Sequence, residues 1–211
     1  MKIGVIGSGN IGGTLGTLWA KAGHPVMFAS RHPESLQNLL KEAGENAESG
    51  DVKQAAAFGE IILFAVPYPE TENTLSPEVK DALGGKILID ARNPYNSDGS
   101  VEETSSNGKS ATQMLTGILP GTHLVKAFNT LYWKTLAEKN HLSGDDLITI
   151  MVAGDDLEAK KSVASLIEDA GFTLLDVGNL DSPGAHEMEP GKSLYNVPLD
   201  VLDARAILST L

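Results

Sequence analysis

The run Gly7-Ser8-Gly9-Asn10-Ile11-Gly12 has the spacing G-x-G-x-x-G, which puts glycines where a backbone must turn tightly and come close to an anion. Gly7 permits the turn, Gly9 leaves no Cβ between the backbone and a pyrophosphate, and Gly12 lets the following segment pack against its neighbours. Ser8, Asn10 and Ile11 complete a loop whose N–H groups and positive helix end would bind phosphate without net positive charge on the chain. The pattern alone is weak, because a glycine-rich turn need hold no ligand. Here it follows an apolar, β-branched run at 3–6 and opens a helical pattern at 10–22, the setting in which these glycines have a physical use.

The second chemical signal is Phe28-Ala29-Ser30-Arg31-His32, at the end of the next apolar run and about 20 residues past the glycines. A site that prefers NAD has Asp or Glu at this point to accept hydrogen bonds from the ribose 2′-hydroxyl. No acid stands here. A hydroxyl, a guanidinium fork and an imidazole that can charge suit a 2′-phosphate instead, so Ser30, Arg31 and His32 are expected to select NADP(H). The bland alternatives are a solvated arginine at a helix start and a histidine that merely neighbours a helix N-terminus.

The elements that must position these residues alternate along the chain. Strands are expected over 3–6, 26–29, 61–66 and 87–90, separated by helices over 10–22, 33–43, 52–58 and 77–83. From Arg92 to about Lys109 the chain is rich in Asn, Ser, Gly, Glu and Pro, a long connection at the C-terminal end of a strand, where open α/β sheets hold their ligands. The alternation then resumes with a helix over 111–116, a strand over 123–127, a helix over 133–139, a strand over 147–153, a helix over 157–170 and a strand over 173–176. The stretch 180–194 reads as irregular and a short helix closes the chain over 199–208. The expected fold is α/β: a Rossmann-type, doubly wound, mostly parallel sheet in which 1–122 form the dinucleotide-binding core. Residues 123–211 form a small C-terminal α/β extension that continues the sheet and closes the acceptor cleft.

Composition narrows the classes of partner. At 211 residues the chain holds one enlarged domain, at about 150 residues per domain, and 41% hydrophobic residues are enough to build a core. A net charge of -12 repels nucleic acid and anionic membrane surfaces on average, so neither is expected as a partner. The absence of cysteine excludes disulfides, thiolate metal sites and thiol nucleophiles. No apolar run reaches the roughly 20 residues of a membrane span and none at the N-terminus resembles a secretory signal, so the expectation is a cytoplasmic protein without membrane insertion. A homodimer is among the assemblies this reading admits.

With Gly7 to Gly12 and Phe28 to Arg31 in view, three further segments carry a family likeness: Ala65-Val66-Pro67-Tyr68, Val125-Lys126-Ala127-Phe128-Asn129-Thr130, and Met151-Val152-Ala153-Gly154-Asp155-Asp156. The sequence resembles the NADP oxidoreductases that depend on the deazaflavin coenzyme F420, and the related cytoplasmic oxidoreductase domains of six-transmembrane metalloreductases. The likeness runs to about Leu180. It implies that the segment at Ser30 and Arg31 binds the adenosine 2′-phosphate, and that Val66, Pro67, Tyr68, Asn129 and Thr130 lie along the cofactor toward its nicotinamide. The tail 181–211 and the loop after Asp90 depart from the family pattern and are expected to border the acceptor pocket.

Dehydrogenases that act on carbonyls and alcohols move a proton with the hydride and carry a positioned acid or base. No Tyr-x-x-x-Lys pair occurs: the residues that would be lysine after Tyr68, Tyr95, Tyr132 and Tyr195 are Glu72, Gly99, Leu136 and Leu199. Hydroxyacid dehydrogenases and imine reductases share this opening but add an all-helical domain of roughly a hundred residues. No catalytic side chain is therefore assigned. The expected chemistry is direct hydride transfer between NADP(H) and a small-molecule redox acceptor, a flavin-like or deazaflavin ring. A ferric or quinone reductase working through loosely bound flavin, and a non-catalytic NADP-binding redox sensor, stay open as alternatives. His24 and His123 read as structural, Asp155 and Asp156 as caps of the helix that starts at Leu157, and His186 with Glu187 and Glu189 lacks metal-ligand spacing, so no metal is expected.

Overall fold

The computed structural model describes residues 1–102 and 109–211. One sheet of eight strands forms its centre: β1 (Ile3–Ile6), β2 (Val26–Ala29), β3 (Ala47–Gly50), β4 (Ile61–Phe64), β5 (Ile87–Asp90), β6 (His123–Ala127), β7 (Thr149–Gly154) and β8 (Thr173–Gly178). Their spatial order is β3-β2-β1-β4-β5-β6-β7-β8. Every neighbouring pair is parallel except β6 and β7, which run antiparallel. This is the doubly wound α/β architecture, and the chain crosses from one side of β1 to the other between β3 and β4. That crossover opens a crevice at the strands' C-terminal ends, the place where such sheets bind ligands.

The helices follow the strands: α1 (Asn10–Lys21), α2 (Gln37–Ala43), α3 (Val52–Phe58), α4 (Thr71–Thr74), α5 (Pro77–Leu83), α6 (Ala111–Ile118), α7 (Trp133–Glu138), α8 (Leu157–Asp169), α9 (Pro183–His186) and α10 (Val201–Leu208). Strands β1 and β4 are buried throughout, as their unbroken apolar runs require when helices cover both faces. One core layer gathers Val5, Trp19, Phe28, Phe128, Val152 and Leu166 under α1 and α8. The other gathers Ile6, Phe64, Leu88, Leu115, Met151 and Leu194 under α6 and the tail. Trp19 joins the two ends of the chain: its Nε1–H donates to the Leu166 carbonyl at 2.7 Å and its ring meets Phe128 edge-on at 5.8 Å. β5 pairs directly with β6, so the sheet and both core layers run through residues 122 and 123 without interruption.

Several expected details change. β3 was not anticipated, because Ala47-Glu48-Ser49-Gly50 lacks the β-branched composition of a strand; it lies at the sheet edge, where one side can face water. The stretch 180–194 contains the single helical turn α9, begun by Ser182, whose Oγ accepts from the Ala185 N–H. Of the two aspartates before α8, only Asp156 caps it, accepting from the N–H groups of Glu158 and Ala159. Asp155 instead accepts from the Leu180 N–H at 3.0 Å and ties the start of the tail to the sheet. His24 Nε2 lies 2.9 Å from Asp169 Oδ2 and His123 Nδ1 lies 2.5 Å from Asp156 Oδ2. Of the loop expected over 92–109, residues 103–108 lie outside the described residues, and its first half is closed by a bridge between Tyr95 and Val101.

Candidate functional site

The C-terminal ends of β1, β2, β4 and β5 stand in register: Ile6 is paired with Ala29 and with Phe64, and Phe64 with Asp90. The residues that follow each strand therefore converge on one edge. They border two adjoining cavities of about 710 and about 640 Å³, and Gly7, Arg31, Val66, Pro67 and Glu70 line both, which makes the two halves of one continuous groove.

The glycine loop forms the middle of its floor. Gly7 has φ of 105°, and a Cβ there would stand 2.6 Å from the Ala65 carbonyl carbon, so both backbone angle and space demand glycine. A Cβ on Gly12 would fall 2.0 Å from the Gly7 carbonyl oxygen, which is why α1 can close on the turn only without a side chain at that position. Gly9 differs: its φ of -75° lies outside the left-handed region, and among the described residues nothing lies within 4 Å of its Cβ direction. It faces open groove. No side chain caps α1, whose N-terminal end carries Gly9, Asn10 and Ile11 on the groove wall. Ser8 lines the neighbouring half.

In that first half, Ser30 and Arg31 border the cavity together with Lys53 and Ser76. The Ser30 N–H donates to the Gly50 carbonyl of β3 at 3.0 Å and its Oγ accepts from the His32 N–H at 3.0 Å, which fixes the turn that presents the exposed Arg31. Lys53 was absent from the sequence reading. It sits in the first turn of α3, which Asp51 caps, and it reaches the wall because β3 ends beside Ser30. Recognising β3 would have revealed it, since the loop after each parallel strand opens on the same crevice. His32 does not border the groove; its exposed imidazole lies 3.4 Å from Glu34.

The second half is bounded by Pro67, Tyr68, Arg92, Asn93 and Tyr95. Tyr68 is half-buried and its Oη donates to the Met114 Sδ at 3.9 Å. Burial, reinforced by the charge of Glu102, raises the Tyr68 pKa above its ordinary value. Tyr95 donates its hydroxyl hydrogen to Tyr195 Oη at 3.0 Å, joining the loop after β5 to the tail. Burial pushes the Tyr195 pKa strongly upward.

Asn129 and Thr130 do not line this half. They are 2% and 1% exposed, on a turn that Phe128 enters at φ of 63°. Asn129 lies one residue behind the wall: its Nδ2 donates to Asn93 Oδ1 at 3.1 Å and to the Met188 carbonyl at 2.8 Å, while Asn93 Nδ2 donates back to the Asn129 carbonyl at 2.8 Å. The Thr130 carbonyl accepts from the Asn196 N–H at 2.7 Å. These residues fasten the tail to the loop that forms the wall. The tail is secured further by Glu189, which pairs with the buried Lys126 of β6. His186, Glu187 and Glu189 form no cluster able to hold a metal ion, and the described residues offer none elsewhere. No helix among them is long and apolar enough to cross a membrane.

Comparison with known proteins agrees with this geometry. Residues 2–94 match the family described as NADP oxidoreductase, coenzyme F420-dependent. The F420-dependent NADP reductase of Methanothermobacter marburgensis is 30% identical over 196 residues, covering 86% of this chain and 86% of its own. The rat metalloreductase STEAP3 is 32% identical over 189 residues, 89% of this chain, and the chain spans 36% of that protein's length. Among solved structures, a candidate F420-dependent NADP reductase from Arthrobacter sp. FB24 superposes with a TM-score of 0.79 at 25% identity, covering 95% of this chain and 99% of that one. The chain belongs to the coenzyme F420-dependent NADP oxidoreductase family. It is accordingly an NADP-dependent oxidoreductase.

Proposed function

We propose that the groove binds NADP(H) along its whole length and delivers a hydride to a planar flavin-like or deazaflavin ring seated against Tyr68 and Tyr95. The observation that supports this most is the continuity of the groove. It carries hydroxyl, guanidinium and ammonium groups at one end, the uncapped α1 N-terminus over a glycine floor in the middle, and aromatic walls at the other. In this reading Ser30 and Arg31 hold the 2′-phosphate, with Lys53 as a second cation. Gly7 to Ile11 receive the pyrophosphate on backbone N–H groups, and Val66, Pro67 and Tyr68 lie along the nicotinamide half. Asn129 and Thr130 hold the wall from behind, and Gly12 serves packing.

The bound nicotinamide supplies the hydride. The chain's own part is to orient both rings and keep water from between them, which needs no proton-transferring side chain. The F420-dependent relative favours a deazaflavin as acceptor. The likeness to STEAP3 favours a second reading, in which loosely bound flavin passes electrons on to ferric iron or a quinone.

NADPH oxidation followed against coenzyme F420, FMN, FAD and quinones tests the proposal. Turnover with a flavin or deazaflavin is expected, and tight NADPH binding without turnover on any acceptor would make the protein a redox sensor. The pH dependence is a further expectation. Because their pKa values are raised, Tyr68 and Tyr195 stay neutral below their ordinary value of about 10, and ionisation of either can reduce the rate only above it. Turnover should thus show no phenol-dependent step from about pH 6 to about pH 9. A steep transition in that interval, abolished by Tyr68→Phe, would assign Tyr68 a proton-transfer role.

A further inference from the structure

Arg92 stands at the end of β5 with its side chain 1% exposed. Its guanidinium grips Asp90 as a fork: Nε donates to Oδ1 at 2.7 Å and Nη2 to Oδ2 at 3.1 Å, while the Thr112 hydroxyl of α6 donates to Oδ2 at 2.8 Å. On its far side Nη1 donates to the Thr71 hydroxyl, and that hydroxyl donates to the Tyr68 carbonyl at 2.6 Å. The guanidinium also lies 4.7 Å from the Phe64 ring centre and 5.8 Å from that of Tyr68. A buried ion pair is a poor means of stabilising a fold, since apolar residues of similar volume do as well or better. What this pair supplies is direction, from the rigid end of β5 to one short segment.

That segment needs it. Tyr68 to Glu70 form a single turn of 3-10 helix, no side chain caps it, and Pro67 and Pro69 remove two backbone donors that could anchor it. We propose that Arg92 is a positioning residue, acting through Thr71 to hold Tyr68 at the angle the nicotinamide half of the groove requires. Asp90 and Thr112 hold the guanidinium in turn. The inference rests on the reading that Tyr68 lies beside the nicotinamide.

Binding measurements test it without knowledge of the acceptor. Two ligands are titrated: NADPH, and 2′,5′-ADP, which carries the phosphorylated adenosine and no nicotinamide. Thr71→Val, which removes both the bond from Arg92 and the bond to the Tyr68 carbonyl, should weaken NADPH at least about fivefold and leave 2′,5′-ADP unchanged. Thr71→Ser, which keeps the hydroxyl, should bind as the wild type does. Arg92→Lys keeps a charge beside Asp90 but loses the fork, and should weaken NADPH in the same selective way. Once Tyr68 is replaced by Ala, Thr71→Val should have no further effect, because the two act as one unit.

Equal weakening of both ligands, or full additivity of Thr71→Val and Tyr68→Ala, would overturn the inference and leave Arg92 a purely structural group. Should Arg92→Lys fail to fold, the Thr71 series decides alone. If Tyr68→Ala by itself left NADPH binding unchanged, the placement of Tyr68 would fall, and the inference with it; that outcome is distinct from additivity.

Discussion

Gly9→Val is expected to yield a folded protein that no longer binds NADPH. The backbone at Gly9 is extended, with φ of -75° and ψ of -156°, outside the left-handed region that favours glycine. Among the described residues nothing lies within 4 Å of the added Cβ, so the fold has no steric reason to object. The isopropyl group would stand in the groove, where a pyrophosphate must come close to the backbone N–H groups. Gly7→Val and Gly12→Val provide the contrast, since a Cβ at either meets backbone atoms closer than 3.0 Å and should impair folding itself. Circular dichroism with NADPH titration separates the cases: a cooperative melt close to wild type with no binding for Gly9→Val, and a lowered melt for the other two. Normal affinity in folded Gly9→Val would place the cofactor elsewhere.

Arg31→Ala should cost about 1 to 3 kcal/mol of NADPH binding, the range of a charge-assisted hydrogen bond, and leave NADH nearly untouched. Arg31 is exposed at the groove margin and does not support the fold, so its loss should be read in affinity alone. Lys53 borders the same cavity, and a residual preference for NADPH in Arg31→Ala should vanish when Lys53 is also replaced by Ala. Parallel titrations with both dinucleotides check this, and equal losses for the two would remove Arg31 from the phosphate site.

The parts of this structure that were legible in the sequence are those whose burial forces composition. Ile61-Ile62-Leu63-Phe64 is covered on both faces and has to be apolar throughout, so β4 announces itself, as does β1. Ala47-Glu48-Ser49-Gly50 sits at an edge, where no such demand exists, and β3 passed unseen together with Lys53 behind it. Spacing disclosed the glycine loop because its geometry is local. The Asp90 and Arg92 pair is equally close in sequence, yet nothing local distinguishes two surface charges from a buried fork; only α4, α6 and Phe64 closing over it make it one. Family likeness pointed to Asn129 and Thr130, but which way their turn faces is decided by the tail that covers it, through Met188 and Asn196. His32 shows the same limit on the other side, since the turn fixed by Ser30 leaves its ring beside Glu34.

In the proposed function a hydride passes directly from NADPH to a ring held beside it. The most direct test is NADPH deuterated at the transferring position of C4, oxidised with whichever ring of the acceptor panel turns over fastest. Direct transfer predicts a primary isotope effect of roughly two or more in single turnover, provided the chemical step is observed. With a deazaflavin as acceptor, the label should be recovered on the carbon that receives the hydride. With a deazaflavin, deuterium lost to water instead of held on that carbon would contradict it, and so would, with any ring, an observed chemical step that shows no isotope effect, or no oxidation by any ring in a protein saturated with NADPH.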